Sequence, residues 1–187
     1  MKSLIIVLRT WLILLLLAFS GTGALAEEKL DKLREMGVNP YPYKYNATNT
    51  SKSLLIALNQ FADEDILWLN GDIVFDHRVI GRLLKYRESC LAVNTAKVGN
   101  EEIKYRTNEM GHVIEISKKV GNPEGESVGI HNIPAKEVSI LIKHLSDCED
   151  QDYFEKGLEL AIQDGLEVSP IDISDLNCIE IDFPEDL

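Results

Sequence analysis

The sequence has 187 residues, 45% apolar and 27% charged, a balance that excludes a wholly disordered chain and fits one domain. With 31 acidic residues against 19 basic ones the formal charge is −12, which excludes the basic footprint required for non-specific binding to nucleic acid and suits a cation held between carboxylates. Cys90, Cys148 and Cys178 are odd in number and contain no C-x-x-C pair, so neither a disulfide framework nor a zinc site is expected.

Residues 1–26 stand apart. Lys2 and Arg9 precede an apolar run over 11–19, and small residues follow, ending in Ala24-Leu25-Ala26. This is the layout of a secretory signal peptide. The uninterrupted core is short for a bilayer, but counting from Leu4 brings it to spanning length, so membrane contact is expected only through residues 4–26. A second reading stands beside it: a buried strand over 12–19, a turn at Ser20-Gly21-Thr22-Gly23, and a helix over 24–36 whose open amides would suit phosphate. The two readings leave the cellular location open.

Residues 27–44 read as a short helix followed by a linker, because two prolines in Asn39-Pro40-Tyr41-Pro42 exclude regular helix. Residues 28–45 resemble the opening of a lysyl-tRNA synthetase, although none of that enzyme's class motifs follows. Asn46-Ala47-Thr48 and Asn49-Thr50-Ser51 are glycosylation sequons, meaningful only in a eukaryotic secretory route.

From residue 45 onward strands and helices alternate. Residues 51–61 predict a helix with apolar positions at Leu54, Leu55 and Leu58. Ile66-Leu67-Trp68-Leu69 is a near-continuous apolar run, as a buried parallel strand should be, and it stops at Asn70-Gly71-Asp72. A helix over 77–88 is expected next, followed by strands over 90–94, 103–106, 113–117 and a short one over 128–130. Residues 121–126 read as a loop. Helices over 135–145 and 153–165 precede final strands over 168–173 and 178–181. No internal repeat or low-complexity tract is present. The expected architecture is an α/β mixed sheet flanked by helices.

Two segments carry candidate chemistry. A buried strand ending in Asn-Gly-Asp places Asp72 at the carboxyl end of the sheet, where open α/β sheets bind ligands, and a carboxylate there can hold Mg²⁺. Near the tail, alternation over 178–182 sends Glu180 and Asp182 to one face and the isoleucines to the other. Acids on the inner face of a domain are costly unless they meet a cation. The plainer readings remain: a turn after a strand for Asp72, a helix N-cap for Asp76, and a solvated edge strand for Glu180.

Six elements follow in order: Thr48-Asn49 with Ser53-Leu54; Asn70-Gly71-Asp72 with Phe75-Asp76; Ile116-Ser117-Lys118; Gly125-Glu126 with Gly129-Ile130; Tyr153 with Glu155; and 180–187, E-I-D-F-P-E-D-L. In this order and spacing, over about three quarters of the chain, the sequence resembles the sugar-phosphate and choline-phosphate nucleotidyltransferases, and within them the phosphocholine or inositol-phosphate cytidylyltransferases. The resemblance implies a partial Rossmann-like fold and transfer of a nucleotidyl group from an NTP, CTP favoured, to a phosphorylated small molecule. By the same resemblance Asp72 and Asp182 would hold Mg²⁺ and Lys118 would meet the acceptor phosphate. Glu126, Gly129, Tyr153 and Glu155 would line the substrate site, and Asn49, Ser53 and Gly71 would lie by the nucleotide. For Lys118 a solvated lysine, for Tyr153 and Glu155 an ordinary helix start, and for Asn49 and Ser53 helix capping are the competing readings.

The sequence departs from that family at the front. Its members open with a strand, a Gly-rich loop carrying an arginine, and a Pro-Lys pair. Here the candidate loop is Ser20–Gly23, the next arginine is Arg34, and no Pro-Lys pair occurs. Loss of such donors lowers transfer by about a hundredfold or more per donor, so impaired catalysis, or a non-catalytic exported or membrane-anchored binding module, is the alternative expectation.

Overall fold

The computed structural model describes residues 4–8, 49–96, 98–99 and 102–181. The strand expected over 12–19, the turn at Ser20–Gly23, the helix and linker over 24–44, the segment 28–45 and Asp182 lie outside the described residues.

A mixed sheet forms the centre, with strand order β1-β2-β7-β4-β8. Strand β2 (Ile66–Asn70) has four consecutive fully or nearly buried apolar residues, which places it inside the sheet rather than at an edge. It pairs in parallel with β1 (Leu4–Leu8) and antiparallel with β7 (Gly125–Ile133). On the other side of β7 runs β4 (Cys90–Asn94), antiparallel to it and parallel to β8 (Ser169–Asp172). A hairpin of β5 (Lys104–Thr107) and β6 (Val113–Ser117) joins the sheet where Lys104 and Tyr105 pair with Glu126 and Gly125 at the start of β7. Strand β1 thus comes from the apolar segment 1–26, upstream of the strand expected over 12–19. Among the described residues no helix is long and apolar enough to cross a membrane.

Helices α1 (Thr50–Leu58), α3 (Ala135–Asp147) and α4 (Phe154–Gln163) cover one face of the sheet. Leu54, Leu58, Val138, Leu141, Leu145 and Leu158 pack there on Trp68, Leu91, Val93 and Ile133. At its centre His131 stacks on Trp68, with ring centroids 4.7 Å apart and planes 7° from parallel, and Phe154 of α4 meets both rings edge-on. Helix α2 (Arg78–Leu83) covers the opposite face, where Val79 and Leu83 pack on Leu67, Cys90, Ala92 and Ile130. Each buried side chain of this size contributes about 1.5–3 kcal/mol to holding the layers together.

Strands β3 (Ile73–Phe75) and β9 (Cys178–Glu180) form a separate antiparallel ribbon, with Val74 opposite Ile179. The tail strand alternates as expected, although Glu180 is exposed, in line with the solvated-edge reading. Ile179 is 51% exposed and its partner Val74 54% exposed, while Cys178 packs against the core. Strand β7 is also longer than the three residues expected, because Gly125, Ser127, His131 and Asn132 take buried ladder positions without being apolar.

Candidate functional site

The described part of the site assembles where β2 ends, where β9 closes the ribbon, and where α4 begins. Strand β2 runs out at Asn70, and the chain turns through exposed Gly71 to half-buried Asp72 before re-entering strand at Ile73. The ribbon register pairs Ile73 with Glu180, and the Ile181 amide donates to the Asp72 carbonyl oxygen at 2.8 Å. Ile181 is therefore bonded to the backbone of the turn that follows β2.

Glu155, in the first turn of α4, is 7% exposed, and its Oε2 has no hydrogen-bond partner among the described residues. Burial pushes its carboxyl up to about 7; its own backbone amide and Lys118 pull it down, and nearby Glu180 raises it further. Lys118, just past the end of β6, holds its ammonium 5.7 Å from the centroid of the half-exposed Tyr153 ring, within cation–π range. Residues from two of the motifs, Lys118 from one and Tyr153 and Glu155 from the other, thus meet at one place with Glu180.

Glu126 belongs to the same neighbourhood. It pairs with Asn94 on one side and Lys104 on the other. Burial raises its carboxyl, as does Glu102, while the Gly99 amide and Lys104 oppose the shift. Burial, with Glu180 and Glu126 nearby, holds the Cys178 thiol up at about 11, so it stays protonated near neutral pH. Lys104 in turn donates from Nζ to the Lys118 carbonyl at 3.1 Å, tying β5 to the residue over Tyr153.

The remaining candidates fall elsewhere. Gly129 has φ +72°, and a Cβ there would meet Asn70 Nδ2 at 2.6 Å, so its close approach is to the Asn70 amide at the end of β2. Asn49 is the N-cap of α1, with Oδ1 accepting from the Thr50 amide at 2.8 Å and Nδ2 donating to the Gln151 carbonyl at 3.1 Å. Ser53 is half-buried further along α1. Asp76 is held well below the usual carboxylate range by Arg78, whose backbone amide donates to it at 2.9 Å, although the N-cap of α2 is His77 rather than Asp76. Thr50 and Lys104 had no sequence signal beyond a helix start and a polar strand position.

Among the described residues no group of three or more His, Cys, Asp or Glu side chains is placed to hold a metal ion. Asp72 offers one hard oxygen ligand at the sheet's carboxyl end, which fits a cation that takes few protein carboxylates.

By structure the chain is similar to the inositol-1-phosphate CTP transferase from T. maritima, with TM-score 0.63 and 20% identity over 87% of this chain and 67% of that one. The CTP:phosphocholine cytidylyltransferase from Streptococcus pneumoniae gives 0.62 at 16% identity, over 86% of this chain and 71% of that one. A nucleoside-diphosphate-sugar pyrophosphorylase from Vibrio cholerae RC9 gives 0.59 at 13% identity, over 99% and 78%. The fold is that of the nucleotidyltransferases. This nucleotidyltransferase fold is the mixed α/β sheet flanked by helices expected from the sequence. No family model matches the chain. By sequence it is similar to the lysine–tRNA ligase of Bacillus cytotoxicus, 26% identical over 148 residues, 71% of this chain and 28% of the ligase. The lysine–tRNA ligase of Fervidobacterium nodosum is 35% identical over 63 residues, 33% of this chain and 11% of that one. The chain thus spans under a third of these curated relatives, and the similarity extends well beyond residues 28–45.

Proposed function

We propose that the domain transfers a nucleotidyl group from an NTP, CTP favoured, to a phosphorylated alcohol or sugar. In this reaction an acceptor phosphate oxygen attacks the α-phosphorus, the bond to the β-phosphate oxygen breaks, and pyrophosphate leaves. The observation that carries the reading is the hydrogen bond from Ile181 to Asp72. Asp182 follows Ile181 directly in the chain, and in this reading the two acids, 110 positions apart in sequence, would share one cation.

In this reading Asp72 and Asp182 would hold Mg²⁺, which when bound neutralises charge developing between the two phosphates. Lys118 meets the acceptor phosphate as a point charge. Tyr153 and Glu155 would hold the rest of the acceptor, with Glu126 lining its approach. A half-exposed ring beside two acids suits a positively charged headgroup. By the resemblance Ser53 and Gly71 would lie on the nucleotide side, whereas Asn49 is taken up by the cap of α1 and the Gln151 carbonyl. Turnover is expected to be slow, since the arginine and Pro-Lys donors of the resembled family have no counterpart in the sequence.

Calorimetric titration of the full chain with CTP, UTP, ATP and GTP, each with Mg²⁺, tests this. Heat with one NTP that vanishes in Asp72→Ala supports it. No heat with any NTP overturns it and leaves a non-catalytic module of the same fold.

A further inference from the structure

We infer that Thr50 is a positioning residue for the candidate acceptor site, acting through the start of helix α4. Helix α4 opens at Tyr153, whose backbone is extended and whose side chain makes no capping bond. The first free amide of the helix, that of Phe154, donates instead to the Thr50 hydroxyl at 3.0 Å, across 104 positions of sequence. Thr50 therefore supplies in trans what Ser, Thr, Asn or Asp ordinarily supplies at a helix's own N-cap.

The neighbours of Thr50 reinforce it. Every carbonyl from Cys148 to Asp152 accepts a hydrogen bond from residues 49–52. Lys52 Nζ takes Cys148, Ser51 Oγ takes Glu149 at 3.5 Å, and the Asn49 amide takes Asp150 at 2.7 Å. Asn49 Nδ2 takes Gln151 at 3.1 Å, and the Ser51 amide takes Asp152 at 3.3 Å. A loop whose only duty were to join α3 to α4 would leave most of these carbonyls to water. Here the next residue in the chain is Tyr153, and two further on lies Glu155 with its unpartnered Oε2. The clamp fixes where that ring and that carboxyl stand relative to Lys118 and Glu180. Residues at the head of α1 thereby act on the acceptor side through backbone geometry.

The inference rests on the acceptor-site reading for its purpose, but its test does not. Carboxyl-carbon NMR titration of Glu155 in the full chain reads the position of the group whether or not any ligand binds. In Thr50→Val the hydroxyl acceptor is lost, and the Glu155 midpoint is expected to fall toward the ordinary carboxylate range by about one pH unit or more as α4 frays. Thr50→Ser restores the acceptor and is expected to restore the midpoint. Should Thr50→Val not fold, Asn49→Ala, which removes the bond to Gln151, gives a smaller fall in the same direction. A lowered melting temperature with an unmoved Glu155 midpoint would show that Thr50 is structural only and overturn the inference. Phosphocholine titrated with CTP and Mg²⁺ separates the two readings. Failure to bind wild-type protein counts against the acceptor site, and the Glu155 midpoint still decides the clamp.

Discussion

The amide of Ile181 is bonded to the carbonyl oxygen of Asp72, so the end of the described chain is laid against the turn that follows β2. If Asp72 and Asp182 share one cation, their effects cannot be independent. Asp72→Asn and Asp182→Asn are each expected to abolish Mg²⁺-dependent nucleotide heat, and the double variant should be no worse than either single one. Additive losses in a calorimetric double-variant cycle would mean the two acids act separately.

Glu155 gives a pH signature with a definite sign. Its folded value of about 7 lies above the ordinary carboxylate value, so the neutral acid suits the folded state. The stability this contributes is complete below about pH 4 and is lost as pH rises through 7. Glu155→Gln removes that dependence. At pH 8.5 it should be more stable than wild type by about 1–3 kcal/mol, and near pH 4.5 nearly equal, in urea denaturation.

His131 slopes the other way. Burial between Trp68 and Phe154 drives its imidazole down to about 3, so the folded state resists the proton that the unfolded chain takes up near 6.5. Stability from this residue is whole above about pH 6.5 and drains away as pH falls toward 3, at up to about 1.4 kcal/mol per unit. His131→Phe should flatten the acid limb of the denaturation midpoint against pH. Between about pH 4.5 and 6.5 this slope opposes that of Glu155, so the two variants are measured singly.

Gly129 is held at φ +72° with Asn70 against it. Gly129→Ala combines backbone strain with a contact that Asn70 must yield to, and is expected to cost about 1–3 kcal/mol by thermal unfolding. Gly81→Ala, in α2 with nothing within 4 Å of the added Cβ, should be neutral or mildly stabilising in the same assay.

Much of the fold was legible from periodicity. Ile66–Leu69 and Cys90–Asn94 read as buried strands because nothing polar interrupts them, and α3 and α4 because their apolar faces recur at helical spacing. From sequence alone strand β7 reads as three residues, because its glycines, Ser127, His131 and Asn132 break the apolar pattern. What seats them is the stack on Trp68 and the approach of Asn70, both contacts across strands. Helix α2 ends at Leu83, where the apolar face gives way to Lys85, Tyr86 and Arg87. In the site, Lys118, Tyr153 and Glu155 were named from motif order, but the depth of Glu155 was not, since burial is decided by the covering elements. Ile179 presents its side chain outward, on the face opposite Cys178, as strand alternation requires. In a two-stranded ribbon only one side is backed by the core, and at this position Cys178 takes it.

The ribbon has a consequence for the order of events in folding. Its strands lie about a hundred positions apart, it consists of three residue pairs, and its central pair, Val74 and Ile179, points into solvent. A long loop must close before so small a sheet is rewarded, so it should be the last piece to form and the first to open. Detachment of β9 would carry Glu180 away from Lys118 and Glu155 while the helices and main sheet stay intact, so this cluster of charges should come apart reversibly well before the protein melts.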